Sequence, residues 1–454
     1  MNTRNEVHPA FAGLIGAAQA DITPPAGIFN RNWGAATSDV STGIHRPLTA
    51  TALALRADAA SQPLVLLSLD LGWWRTVEDE WALRGAVIEA LGVDISRVVV
   101  NLIHTHAGPG ICAEDEDKPG GRLIPAYLTH LRETCIRIAQ QAVANAAPGR
   151  LEWAYGRCDL ARNRDLPDPA ADRIVCGFNP DAPADDTLLI GRATTATGAP
   201  IATLINYACH PVTLAWQNAL ISPDFVGAMR ELVEATTGVP CLFLQGASGE
   251  LAPRQQYTGD TAIADANGRV LGYAALSVLA NMLPPGHALA YDGVVESGAP
   301  LATWRREATD ASSALSSEVV QVTLMLKALP AIADVQAQLT AATDNFQRER
   351  LRRKLRLLRA VGDGPTHTTP VWIWRIGPAV LVAQPNEAYS DFQIALRAAF
   401  PGTAIAVLNI SNGGYAYLTP RAMYARDQYQ VWQSPYAEGC LETTTETVLA
   451  ALNR

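Results

Sequence analysis

Residues 97–110 read RVVVNLIHTHAGPG. The first seven are short, apolar and β-branched, the pattern of a strand buried on both faces. Two histidines one residue apart, His104 and His106, then precede a glycine-proline stop. Side chains at i and i+2 of a strand share a face, so the two imidazoles converge if the strand runs through them. A buried strand that ends on polar groups at a sheet edge is where α/β proteins bind ligands. His-x-His alone fits two hydrogen-bonded histidines as well as a metal site, so the remaining ligands must come from elsewhere in the chain.

Outward from this stretch the chain alternates. Strand-like runs occur at GLIGAAQADIT, TATALALRAD and PLVLLSLDL, before the helical EDEWALRGAVIEAL. After the histidines, ICAEDEDKPGG (111–121) is an acidic loop, and AYLTHLRETCIRIAQQAVANA has helical spacing. LEWAYGRCDL, TLLIGRATT and PIATLINYACH read as strands, and residues 224–238 as a helix capped by Asp224 and stopped at Gly238. PCLFLQ, a helix over 260–283, and the strand SEVVQVTLMLKAL follow. The arginine-rich stretch 331–361 reads as one helix with a solvated charged face. VWIWRIGPAVLVAQ is a hairpin turned at Gly377-Pro378, and a helix over 386–400 leads to the strand TAIAVLNI. The expected class is α/β, with mixed sheets flanked by helices and residues 1–454 forming one domain.

The composition limits the function. With 454 residues, 48% hydrophobic and 17% charged, the chain has the make-up of a soluble globular protein. A net charge of −9 argues against nucleic acid or an anionic membrane as partner. The N-terminus shows no apolar signal region and no run reaches membrane-helix length, so no stable membrane anchor is expected. The seven cysteines (112, 135, 158, 176, 209, 241, 440) contain no CxxC pair, as for free thiols in a cytoplasmic protein. A homo-oligomer is compatible with all of this.

Other apolar runs also end on groups of the metal-binding kind. His210 closes YACHPV, Glu387 lies just past VLVAQP, and Tyr417 lies in SNGGYAYLTP. Taken singly, each has an ordinary alternative: a satisfied strand-end histidine, a glutamate at a helix start, a half-buried tyrosine. Two histidines, a carboxylate and a phenol together would suit zinc.

These segments resemble the catalytic domain of the neutral ceramidases, the non-lysosomal zinc amidases. NLIHTHAGPG is similar to the family's histidine-threonine-histidine motif. GLIGAAQADITPPAG, TGIHRPLTATALAL and LVLLSLDLGWW resemble its opening strands, and ARNRDLPDP its asparagine-arginine segment. INYACHPVTL with ISPDFVGAM resembles its second histidine motif, PNEAY its proline-x-glutamate motif, and SNGGYAYLTP its tyrosine motif. The match stops near the C-terminus, without the family's immunoglobulin-like domain. The resemblance implies a Zn2+ ion bound by His104, His210, Glu387 and Tyr417. His106 would face substrate or the water on zinc, and Arg164 would line the pocket. One departure stands out: where the family carries a serine in a glycine-aspartate-valine-serine-proline stretch, this chain has GELAPR. Ala252 takes the serine position and Glu250 the aspartate position.

The expectation is therefore a zinc-dependent hydrolase of a small amide, in which hydroxide on zinc attacks the carbonyl. His106 would carry the proton and Arg164 would stabilise the oxyanion. Glu250 is the next candidate carrier should His106 prove to be a ligand. An ester or lactone is the second choice of substrate. A metal-free serine hydrolase using Ser248, and a ligand-binding member without turnover, are the alternatives. Glu114, Asp115, Glu116 and Asp117 either favour a cationic substrate or form a solvated loop, and Trp73 and Trp74 are either a pocket wall or core.

Overall fold

The computed structural model describes residues 5–343 and 345–454. Its centre is an eight-stranded mixed sheet. In spatial order the strands are Cys241–Gln245, Pro200–Tyr207, Thr187–Thr195, Ala147–Arg157, Ala10–Asp21, Thr49–Arg56, Leu64–Leu69 and Val98–Leu102. The inner pairs are antiparallel, and the outermost pair at each end is parallel. The two end strands are wholly buried, which explains why their sequences are apolar apart from Asn101 and Gln245.

This sheet curls until its ends approach each other. The Asn101 carboxamide, on one end strand, accepts from the Gln245 amide on the other at 3.1 Å. Ser68 Oγ donates to the Phe243 carbonyl at 2.6 Å. A buried ion pair between Arg230 and Asp70, with two contacts of 2.5 Å, ties the same regions together. Residues that follow strands at opposite ends of the sheet order are thereby brought face to face.

A second sheet of four strands, Leu315–Met325, Thr366–Ile376, Ala379–Ala383 and Ile405–Leu408, packs on one face of the first. Phe11, Ile15, Trp153 and Leu204 meet Trp372, Trp374 and Leu381 in the shared core. Helices cover the outer faces. Helices α1 (Val77–Leu91) and α2 (Ile124–Ala144) pack with one half of the large sheet. Helices α3 (Phe225–Thr237) and α4 (Thr261–Asn281) cover the other half. Helix α5 (Ile332–Ala341) and helix α6 (Asn345–Val361) form a hairpin with a small core of Val335, Leu351, Leu355 and Leu358. Helix α7 (Asp391–Ala399) and the C-terminal helix Cys440–Leu452 cover the small sheet. The result is the mixed α/β class with helix-flanked sheets expected from sequence.

Several local readings need correction. The strand before the histidines ends at Leu102, and His104 has φ of 72°, so the rings do not converge along a strand. The stretch 331–361 is two helices rather than one. Helix α7 begins at Asp391, four residues beyond Glu387, which lies instead in a two-residue strand. Among the described residues, no helix is long and apolar enough to cross a membrane.

Candidate metal centre

His104 leaves its strand in the left-handed region of φ, a conformation that costs a non-glycine residue free energy and is held here by tertiary contacts. Its backbone amide donates to Leu71 O at 2.9 Å, and its Nδ1 faces Gly72 O at 3.2 Å. His210 follows the strand Pro200–Tyr207. Its amide donates to Leu251 O at 2.9 Å, and its Nδ1 faces Ser248 O at 2.7 Å. A carbonyl oxygen can only accept, so each imidazole carries its hydrogen on Nδ1 and a lone pair on Nε2.

Those two Nε2 atoms are 3.0 Å apart. Glu387 Oε2 lies 3.4 Å from one and 3.1 Å from the other. With this tautomer, three acceptors face one another with no hydrogen between them, and Glu387 Oε2 is a buried oxygen without a hydrogen-bond partner. Such a cluster is repulsive unless a cation occupies it. Neutral imidazoles oriented by backbone carbonyls are the form in which histidine binds metal. Burial, with the Arg164 charge second, pushes His210 down to about 3, which keeps it neutral. The donor set of two nitrogens and a carboxylate oxygen fits zinc.

Glu387 and Tyr417 are adjacent because the strands Glu387–Ala388 and Tyr417–Leu418 pair in parallel with these two residues in register. Burial pushes the Tyr417 phenol well above its ordinary range. Arg164 Nη2 donates to Tyr417 Oη at 3.2 Å and to Gly249 O at 2.7 Å, and lies 3.5 Å from His210 Nε2. Gly249 is needed there, since a Cβ would lie 2.6 Å from the Tyr389 ring and 3.1 Å from Glu387 O. His106 completes the group. Candidate ligand atoms of His104, His106 and His210 all lie within 4.8 Å of one another. The His106 Nε2 is buried and unpartnered, and burial followed by the neighbouring His104 holds the ring well below its usual range.

No family model matches the chain. Several solved structures do. One, of a ceramidase complexed with C2, aligns at a TM-score of 0.68 and 18% identity, covering 98% of this chain and 76% of that one. Another, the neutral ceramidase from Pseudomonas aeruginosa, aligns at 0.69 and 19%, covering 98% and 74%. The chain has the neutral ceramidase fold.

On this ceramidase fold, the candidates that differ from the family motif fall into place. Ala252 is wholly buried in the short strand Leu251–Pro253, whose first carbonyl accepts from His210. Ser248 lies close to the histidines, 3.5 Å from His210 Nδ1, but that nitrogen is committed as a donor to the Ser248 carbonyl. His210 therefore has no lone pair with which to activate Ser248. The Glu250 carboxyl accepts from the Ser390 amide at 3.1 and 3.0 Å and from the Ser390 hydroxyl, at the start of α7. Burial pushes it up to about 8, against the opposing Ser390 contacts. Only its backbone carbonyl reaches Arg164, accepting the amide at 2.8 Å.

In the acidic loop on this ceramidase scaffold only Asp115 is buried, while Glu114, Glu116 and Asp117 are exposed, and three of the four acids are paired with arginines. Asp117 pairs with Arg352, Glu114 with Arg356 and Arg359, and Asp115 with Arg356 at 2.7 Å and Arg75 at 2.8 Å. The arginine-rich face of α6 is thus a partner surface. Arg75 also donates to Asn32 Oδ1 at 2.9 Å, and Asn32 Nδ2 donates to Gly108 O at 2.9 Å. Of the tryptophan pair, Trp73 packs against His106, while Trp74 is buried core. Sequence reasoning missed Trp33, which packs on the His106 ring, and Trp216 and Tyr257, which pack on Trp33. They are lone aromatics in loops, and no periodicity or motif marks them.

Proposed function

We propose that this protein is a zinc-dependent hydrolase acting on the amide bond of a small N-acyl compound, with residues 1–454 acting as one catalytic unit. The observation that carries this reading is the pair of Nε2 lone pairs 3.0 Å apart with Glu387 Oε2 beside them. Its ceramidase-named structural neighbours add support for an amide substrate. His104, His210 and Glu387 would hold the ion, with Tyr417 as fourth ligand. Zinc, when bound, supplies Lewis acidity that polarises a carbonyl and acidifies water to a pKa of about 7.

The chain's own groups would do the rest. His106 is only partly exposed and is neutral, so it can accept a proton during attack and return it to the leaving amine. Arg164 is anchored on Gly249 O, which presents its Nη2 to developing negative charge beside Tyr417. The seven free thiols fit a reducing, cytoplasmic setting.

The test combines zinc content of purified protein with turnover of a panel of N-acyl amines and labelling by a serine-reactive phosphonate. About one zinc per chain, chelator-sensitive hydrolysis and no labelling are expected. Full activity in metal-free protein would sink the assignment.

A further inference from the structure

Four aromatic rings from four separate segments form a cluster whose nearer two, Trp33 and Trp73, flank His106. Trp33 lies 5.1 Å from the His106 ring and Trp73 4.9 Å. Trp216 and Tyr257 lie 5.9 and 5.7 Å from Trp33. All four are partly exposed, whereas Trp74, beside Trp73, is buried. Trp73 leans on the core beneath α1 and α2, but Trp33, Trp216 and Tyr257 belong to none of the buried apolar clusters among the described residues. They belong to no core cluster, yet Trp33 packs on His106, beside the metal centre, and Trp216 and Tyr257 pack on Trp33. Partly open aromatic surface beside polar catalytic groups is the make-up of a ligand site.

The shelf is held in place. Tyr257 has φ of 60°, and its amide donates to Val212 O at 3.0 Å, while Thr258 donates to Thr213 O at 2.8 Å. The segment carrying Tyr257 is thereby fixed to the one that follows His210.

Ring geometry and charge narrow the guest. Trp216 and Tyr257 lie nearly parallel, 6.1 Å apart at 27°, and form one wall. Trp33 meets them at 75° and 79°, so the walls make a corner. A flat ring in such a corner can stack on one wall and present its edge to the other, whereas an alkyl chain gains from contact area alone. Cations are the other guests that aromatic rings take. Here Asp115 is already paired, Arg75 lies over the Trp73 ring at 5.7 Å, and Arg164 adds positive charge behind His210.

We propose that Trp33, Trp73, Trp216 and Tyr257 form a subsite for a neutral, ring-bearing acyl group next to the scissile carbonyl. This rests on the amide-hydrolase reading and names the class of acyl group it takes.

The test uses zinc-loaded full-length protein with N-benzoyl, N-acetyl and N-palmitoyl derivatives of one amine, in wild type and Trp216→Ala. Benzamide binding, followed by tryptophan fluorescence, is measured alongside. Wild type should favour the benzoyl compound. Trp216→Ala should lower kcat/KM for it at least about tenfold more than for the acetyl compound, the scale on which pocket contacts discriminate. Benzamide should bind wild type and bind the variant more weakly. Palmitoyl preference in wild type, or equal losses on all three amides, would overturn the subsite while leaving the amidase reading intact. If no amide is cleaved, the amidase reading fails, and benzamide binding decides the subsite alone: binding weakened by Trp216→Ala sustains it, and absence of binding overturns it.

Discussion

Glu250→Gln separates a buried structural carboxyl from a catalytic one. In the native protein burial holds this carboxyl at about 8, whereas its ordinary value is 4.5. Between those values the folded chain keeps a proton that the unfolded chain has lost. Stability therefore falls as pH rises through this window and levels off above it. A gap of about 3.5 units at 1.36 kcal/mol per unit sets a ceiling of about 5 kcal/mol on the loss. Most of that lies between pH 5 and 8, so a difference of about 3–4 kcal/mol is expected across that range. Glutamine mimics the protonated form and can still accept from the Ser390 amide and hydroxyl. The assay is urea unfolding of metal-free wild type and variant at pH 5, 6.5 and 8, so that histidine titrations shared by both cancel in the difference. The variant should gain on wild type steadily with pH, and its kcat should stay within about tenfold because the carboxyl faces Ser390. A difference that does not vary with pH would refute the buried-neutral account. A kcat loss of about 10²-fold or more at full zinc would instead make Glu250 the proton carrier.

Three further outcomes follow from the geometry. His104→Ala should strip the zinc, whereas His106→Ala should keep it and lose about 10²–10⁴-fold in kcat; zinc content beside turnover decides, and loss of zinc from both would make His106 a ligand. Glu387→Gln should weaken metal binding, read by competition with a chelator, while leaving thermal unfolding of the metal-free protein nearly unchanged; unaltered zinc affinity would remove Glu387 from the ligand set. Asp115→Ala should cost about 3–5 kcal/mol, because it leaves the buried Arg75 and Arg356 guanidiniums without their shared carboxylate; a loss under about 1 kcal/mol in urea unfolding would show the loop to be a solvated surface after all.

Local signals in the chain were enough for many of its elements. The β-branched run before Asn101 forms its strand, and Asp224 and Gly238 bound helix α3 with a side-chain cap and a left-handed stop. Gly377, at φ of 57°, turns the predicted hairpin. Such signals act over a few residues, through periodicity, capping and sterics, and so can be read in order. The residue types of the metal centre were legible for the same reason, since strand ends and a family-like motif mark them one at a time. Their meeting was not. His104 and His210 face each other because the eight-stranded sheet curls until its ends are joined through Asn101 and Gln245. Glu387 acquires Tyr417 as a neighbour through a two-residue parallel pairing that has no sequence signature. The acidic loop and the arginine-rich helix each look solvated when read alone, and only their juxtaposition makes them partners. Trp73 and Trp74 are indistinguishable as letters, yet one lies against His106 and the other in the core. In each case the deciding contact joins segments tens to hundreds of residues apart, and no rule of local spacing carries that information.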